Sequence, residues 1–403
     1  MKLNASLGVS LVLAVSVALA GCVTKESRPL PIKTAAKASS PVPADELLDV
    51  SIQLLDPNVP TLEKEQIAKR IDPAVRSAEA RYMATKLADT LQDTGYWGQV
   101  RVVPVGAAAL DVNVSGSILE SDGAHLKLSI AAADASGRQW LNKTYSGKAD
   151  TRSYKNGATT KRDPFQNIYA QIADDLAAAR QKLKGADLRQ VQRLARLRFE
   201  TEIAPEAYEG YVRKERNGTF TVARLPAEDS PLERRLGQIR EREFALLDTL
   251  DDQYQLAAER MGDSYVNWRR SNYSEMEELA DLKSSARLRM LLGAAAVVGG
   301  IVAATDSSST TAGQIAGSVA VAGGIEAFKS GMGQRSEAKV HAESLKQQME
   351  SFSSEVAPVN VEVEGKTLEL RGNAAQQFTE WRNLLRDLYE NETGVVPATG
   401  DAH

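Results

Sequence analysis

Cysteine and histidine bound what this chain can do chemically, because thiolate and imidazole supply many of the nucleophiles, proton carriers and metal ligands that work near neutral pH. The 403-residue sequence holds one cysteine, Cys22, and three histidines, His125, His341 and His403. His125 abuts an expected hairpin turn, His341 falls on an expected polar helix, and His403 stands at the end of the sequence. No two histidines stand at metal-ligand spacing, so the spacing predicts no metal site. Adjacent carboxylates occur at Asp174-Asp175 and Asp251-Asp252. Neighbours on a helix point about 100° apart, so neither pair converges on one substrate, and both are expected on solvated faces.

Two serine motifs invite a nucleophile. Gly262-Asp263-Ser264 resembles the opening of the GDSL-type hydrolase motif, but the serine falls inside a helical pattern and Asp401-Ala402-His403 has the wrong spacing to complete it. Ser336-Glu337-Ala338-Lys339 fits the Ser-x-x-Lys pattern of penicillin-binding enzymes, but no Ser-Asp-Asn or Lys-Thr-Gly accompanies it. There is no Gly-x-Ser-x-Gly elbow and no GxxxxGK[ST] phosphate loop. The residues therefore predict neither an enzyme nor a cofactor.

The chemistry that the sequence does announce lies at its start. Lys2 precedes an apolar run over 3–20, closed by Leu19-Ala20-Gly21-Cys22. A charged start, a short apolar core and small residues before a cut read as a secretory signal peptide. The run is marginal for a spanning helix, which wants about 20 apolar residues. Leu19-Ala20-Gly21-Cys22 resembles the bacterial lipobox, which implies cleavage between Gly21 and Cys22 and lipidation of Cys22. As the sole cysteine, Cys22 has no disulfide partner within the chain. Val23 follows it, where the common inner-membrane retention signal is Asp, so the resemblance implies the periplasmic face of the outer membrane.

Composition excludes several other classes. A net charge of −4 and a mixed-sign middle give no stripe for nucleic acid. An apolar fraction of 43% with 25% charged residues is close to the globular average. The fold must then rest on packing, without disulfides.

The elements that would carry such a protein can be placed along the chain. Residues 22–44 hold Pro29, Pro31, Pro41 and Pro43 among Ser, Ala and Lys and read as a flexible tether. Residues 45–186 read as one α/β domain. Val50, Ile52 and Leu54 alternate as a strand, and Asp72-Pro73 starts a helix carrying Val75, Ala78, Tyr82, Leu87 and Leu91. A strand over 99–105 precedes a meander that turns at Ser121-Asp122-Gly123 and at Ser136-Gly137. Asp163-Pro164-Phe165-Gln166 then opens a helix with the stripe Phe165, Ile168, Ile172, Leu176 and Leu183. The order is β-α-β-β-β-α with a mixed sheet.

Residues 187–290 read as almost wholly helical. Leu232, Leu236, Ile239, Leu246, Leu250, Tyr254, Met261, Tyr265 and Trp268 recur at helical spacing, and the Ser274–Glu277 capping pattern predicts a break or bend near Ser271. Residues 291–334 are Gly-rich and apolar, with Gly299, Gly300, Gly313, Gly317 and Gly324 as the expected packing positions of a helical hairpin. Gly313 to Gly317 is a GxxxG match, a spacing that lets helix backbones approach closely. Residues 335–390 read as a polar helix, a β-hairpin about Glu364-Gly365-Lys366 and a last helix capped by Asn373 and Gln376. Residues 391–403 read as a tail. The fold class is α+β.

Behind a lipobox and a tether, the β-α-β-β-β-α order resembles a group of envelope domains. The group includes the TolB N-terminal domain, the curli secretion lipoprotein and the lipoprotein activators of penicillin-binding proteins. Ala78-Glu79-Ala80-Arg81-Tyr82 with Gly95-Tyr96-Trp97-Gly98-Gln99-Val100-Arg101-Val102-Val103-Pro104, and Asp163-Pro164-Phe165-Gln166-Asn167-Ile168-Tyr169, look like uncharacterised lipoproteins of Gram-negative bacteria. The resemblance implies an envelope lipoprotein family and brings no activity with it; with no catalytic motif present, the chain reads as a lipid-anchored envelope protein without catalytic function, a scaffold or assembly factor. It would self-associate through its helices and Gly-rich hairpin and bind an envelope protein through the α/β domain. Regulation of peptidoglycan synthesis and a subunit role in an outer-membrane export pore stand as alternatives. Trp97 and Tyr96, at a helix-to-strand junction, either pack under the sheet or present an aromatic ridge to a partner.

Overall fold

Val50, Ser51 and Ile52 are all buried, which places their strand inside a sheet covered on both faces. The computed structural model describes residues 31–107, 110–154, 162–227, 230–303, 343, 359–363, 366–370 and 373–393. The sheet elements are β1 (Val50–Gln53), β2 (Val100–Val103), β3 (Val112–Ser121), β4 (His125–Asp134) and β5 (Gln139–Lys148), in the spatial order β2-β1-β3-β4-β5. β1 pairs in parallel with β2 and β3, in register at Val50↔Val100 and Val50↔Val112; β3, β4 and β5 form an antiparallel meander. Two helices lie between β1 and β2: the short α1 (Glu63–Lys69), which sequence periodicity gave no sign of, and α2 (Pro73–Gln92). Asp72 caps α2 by accepting from the backbone N–H groups of Ala74 and Val75. α3 (Gln166–Gln181) follows β5 and packs on it and on α2. This is the expected β-α-β-β-β-α order with its mixed sheet, plus α1.

Four elements come next: α4 (Gly185–Ile203), the small hairpin β6 (Val212–Lys214) and β7 (Phe220–Val222), and α5 (Pro231–Ala303). The hairpin corrects the expectation of an almost wholly helical stretch; Gly218, at a φ of +84°, makes its turn. β8 (Val359–Val363) and β9 (Lys366–Leu370) pair antiparallel as expected, and α6 (Ala374–Thr393) closes the described chain. Its start is the expected reciprocal cap: Asn373 Oδ1 accepts from Gln376 N, and Gln376 Oε1 accepts from Asn373 N.

One apolar core joins these parts. Ile52, Val102, Leu87 and Ile172 share it with Leu194 of α4, Leu247 of α5 and Trp381 of α6. The expected division at residue 186 thus falls in the first turn of α4, the second of two consecutive helices that feed the same core. Trp97 belongs to that core and is buried, so it does not form an exposed ridge.

α5 runs 73 residues, about 110 Å at 1.5 Å per residue. It passes Ser271 and Ser274 without the expected break, so residues 291–303, including Gly299 and Gly300, extend it directly. The rest of the expected hairpin, with Gly313, Gly317 and Gly324, lies outside the described residues, as do Gly21 and Cys22. Among the described residues no helix is long and apolar enough to cross a membrane.

α5 also covers the open edge of the sheet. Asp251 Oδ1 accepts from the Val102 N–H at 2.7 Å, and Asp248 Oδ1 accepts from Arg101 Nε at 2.5 Å. An exposed edge strand invites pairing with other chains, and these carboxylates occupy it. The expected tether is likewise pinned from Pro31 onward. Asn167 Oδ1 accepts from Lys33 N, Asp174 Oδ1 accepts from Ala36 N, and Lys33 Nζ stands 2.9 Å from Asp174 Oδ2. Asp174 and Asp175 are therefore fasteners rather than solvated charges, since Asp175 accepts from Lys143 Nζ and Tyr145 OH.

Ile172 is fully buried. Ile172→Ala should cost about 2–5 kcal/mol in urea unfolding, from lost burial and a residual cavity. A second expectation concerns pH. Burial lifts the Asp251 carboxyl to about 6, against the Val102 N–H and with help from Asp252. Folding then takes up a proton between about pH 4 and 6, so this group's contribution falls as pH rises through that window. Asp251→Asn keeps the acceptor for Val102 and removes the titration. Its stability relative to the parent, followed by unfolding from pH 4 to 7.5, should rise through pH 4–6 and then level.

Candidate functional site

A group of buried polar side chains lies where α5 crosses α2, and burial is its defining feature. Glu79 and Tyr82 come from α2, Ser121 from the end of β3, Asp163 from just before α3, and Tyr265 and Arg269 from α5. Glu79, Tyr265 and Arg269 have no exposed surface. Arg269 Nη1 donates to Asp163 Oδ2 at 2.9 Å, and Tyr82 OH donates to the same oxygen at 3.0 Å. Ser121 Oγ and Tyr265 OH both donate to Glu79 Oε1. Glu79 Oε2 lies 2.9 Å from Arg76 Nε, a contact of charges without hydrogen-bond alignment. The Arg269 guanidinium sits 4.2 Å from the Tyr265 ring centre and 5.3 Å from that of Tyr82.

Charge states follow from these neighbours. Burial raises the Glu79 carboxyl above its ordinary value, with Arg76 foremost among the groups that oppose the rise. Burial works against the charge on Arg269, but Asp163 and then Tyr265 outweigh it, and its pKa stands well above the ordinary value. The Tyr82 and Tyr265 hydroxyls are pushed up, chiefly by burial. The group is almost wholly closed to solvent, with Tyr82, Ser121 and Asp163 keeping no more than 8% of their surface. What it does is fasten α5 to the α/β domain.

Local sequence explains the convergence. Tyr265 and Arg269 stand four residues apart on α5, so they share a face, as do Glu79 and Tyr82 on α2. Met261, Tyr265 and Trp268 pack with Val75, Ala78 and Tyr82 in an apolar patch beside the charges. Gly123, at a φ of +82°, brings the β3–β4 turn against the helix; a Cβ there would come within 2.5 Å of the Arg269 carbonyl oxygen. Asp163 and Gln166, three residues apart at the expected helix start, have the spacing of a reciprocal cap. Instead Asp163 Oδ1 accepts from Phe165 N, its other oxygen goes to Arg269, and Gln166 turns to Thr90.

The other chemical candidates flank this group, lie elsewhere in the fold or fall outside the described residues. Ser264 lies on α5 and makes its own contacts there. Ser336, Lys339, His341 and His403 lie outside the described residues. Spacing between histidines missed one grouping. Glu120, Asp122 and His125 bring ligand-type atoms within 4.8 Å of one another at the β3–β4 turn. Asp122 Oδ1 already accepts from Ala124 N and His125 N, and Asp122 Oδ2 lies 3.2 Å from His125 Nδ1, so this carboxylate is engaged in building the turn. A cleft of about 580 Å³ between α4 and the start of α5 is spanned by Arg196, which pairs with Glu200 and Glu233 at 2.7 and 2.6 Å.

Compared with known protein families, with curated proteins and with solved structures, the chain gives no significant match.

Removing one partner of a buried pair leaves the other charge uncompensated. Arg269→Met should cost about 3–5 kcal/mol in denaturant unfolding. Arg269→Met combined with Asp163→Asn should recover part of that loss, because neither charge is then left buried alone.

Proposed function

We propose that the protein is a lipid-anchored scaffold of the bacterial outer membrane, held at the periplasmic face through Cys22, with no catalytic role. The single observation that carries this reading is the buried Arg269–Asp163 and Glu79 group. It fixes to the α/β domain a helix that continues past Arg269 for about 50 Å. An assembly subunit has use for such an arm, which holds a globular head at a set distance from other contacts. The pinned chain from Pro31 onward adds to the case. If Cys22 carries the lipid, the stretch 22–30 reaches at most about 30 Å, so the head works close to the bilayer. Two or three acyl chains would hold it firmly, whereas one alone binds marginally.

Self-association is assigned to α5 and the Gly-rich stretch that follows it, with Gly299, Gly300, Gly313, Gly317 and Gly324 as the close-packing positions. The α/β domain is assigned to an envelope protein partner.

The test is the mass of the intact particle after mild-detergent extraction. The parent should run as a multiple of the chain mass, and Gly317→Leu should reduce it to a single chain whose unfolding is unchanged. A parent particle of one chain contradicts the scaffold reading. Cys22→Ser should abolish lipid labelling and processing before residue 22; labelled, processed Cys22→Ser would refute the anchor.

A further inference from the structure

The cavity where α4, α5, α6 and the β2–β3 connection meet measures about 220 Å³. Three guanidinium groups line it: Arg198 of α4, Arg240 of α5 and Arg382 of α6. Two carboxylates answer them, Glu202 and Glu243. Arg382 is 7% exposed, yet none of its three side-chain nitrogens has an aligned hydrogen-bond acceptor among the described residues. Its contacts with Glu243 at 2.9 Å and Glu202 at 3.3 Å are contacts of charge only. Arg240 has no carboxylate within 4 Å among the described residues and rests on the Phe244 ring at 5.0 Å. Buried donors are nearly always satisfied, by protein, water or ligand. Here the unmet donors and the surplus positive charge line the same cavity.

We propose that this cavity binds a small oxyanion, a phosphate or carboxylate group held by Arg240 and Arg382. Arg recognises both groups through paired N–H donors. The volume admits one such group and excludes a nucleotide. The half-exposed Glu202 marks the open side, through which the group could also enter as the end of a larger molecule. Binding should take up a proton. Glu243 is faced by Arg382, Glu202 and Arg240, and burial lifts its carboxyl to about 7. An anion beside it raises that value further, so binding tightens as pH falls from 8 to 6.

The experiment is calorimetric titration of the full chain with sodium sulfate at constant ionic strength, because sulfate keeps its charge over this pH range. Saturable 1:1 binding below about 10 mM, weakened about tenfold or more in Arg240→Gln, is expected. Arg240 has no carboxylate within 4 Å among the described residues, and Asp111, Glu200 and Glu243 feel its charge only at longer range, so cooperative unfolding of the variant checks the fold. The pH dependence should disappear in Glu243→Gln. Repeating the titration with inorganic phosphate, glycerol phosphate and acetate separates the sources. Preference for glycerol phosphate assigns the group to a larger phosphate ester, preference for inorganic phosphate assigns it to a free ion, and preference for acetate assigns it to a carboxylate. Absence of saturable binding to any of these anions, or equal affinity in the parent and a folded Arg240→Gln, overturns the proposal and leaves the cavity to water.

Discussion

The ion pair between Arg269 and Asp163 is the contact on which the rest of the molecule depends. Both residues are buried, and neither charge would tolerate that position alone. Desolvating two charges is costly, and their attraction offsets the cost only when geometry and further hydrogen bonds are good. Tyr82 and the backbone of Phe165 supply those bonds to Asp163. The consequence is registry. A slip of α5 by one turn, about 5.4 Å, would carry Arg269 out of hydrogen-bond reach of Asp163. Apolar contacts such as Met261 on Val75 would tolerate such a slip far better, because dispersion and burial are not directional. The charges thus choose one position for the helix, and the apolar patch beside them supplies much of the adhesion.

Once α5 is placed, its other duties follow. Twenty-one residues before Arg269, Asp248 meets Arg101, and Asp251 takes the edge N–H of Val102. Arg101 and Arg240 lie at 5.2 and 5.0 Å from the Phe244 ring, which ties the sheet edge to the arginine-lined cavity. Further toward its start, Glu233 accepts from Arg196 and from Tyr208 and joins α5 to α4. The helix is therefore a spine that touches sheet edge, crossover, neighbouring helix and C-terminal helix in turn. On the opposite side, the segment from Pro31 repeats the logic on a smaller scale, with Asn167 and Asp174 holding an otherwise irregular strap.

The order of the sheet's elements along the chain, its two long helices and the C-terminal hairpin with its capped helix were legible because periodicity and caps are local signals. Val50 and Ile52 alternate, Asp72 precedes Pro73, and Asn373 stands three residues before Gln376, so each announces its structure within a few positions. Other features were not legible, for equally physical reasons. α1 buries no residue and has no apolar period to read. The Ser274–Glu277 pattern looks like a helix start, but a capping sequence inside a longer helical run does not interrupt it unless the backbone there has another partner. The site depended on distance in sequence. Asp163 reads as a helix cap, Glu79 as one acid on an amphipathic helix, and Arg269 as one base among many; only the fold brings 79, 163 and 269 together. The signal that could have pointed to it was the placing of charged residues on the same stripe as Val75, Tyr82, Tyr265 and Trp268. The cluster of Glu120, Asp122 and His125 was missed because histidine–histidine spacing does not count carboxylates.

Native-state hydrogen exchange tests most directly whether the buried charges make α5 and the α/β domain one cooperative unit. The amides of residues 261–273 should exchange only with global unfolding, at the same free energy as those of β1 and α2. Exchange of 261–273 at a free energy well below that of β1 and α2, with the sheet still protected, would show that the helix comes away on its own and would contradict the account.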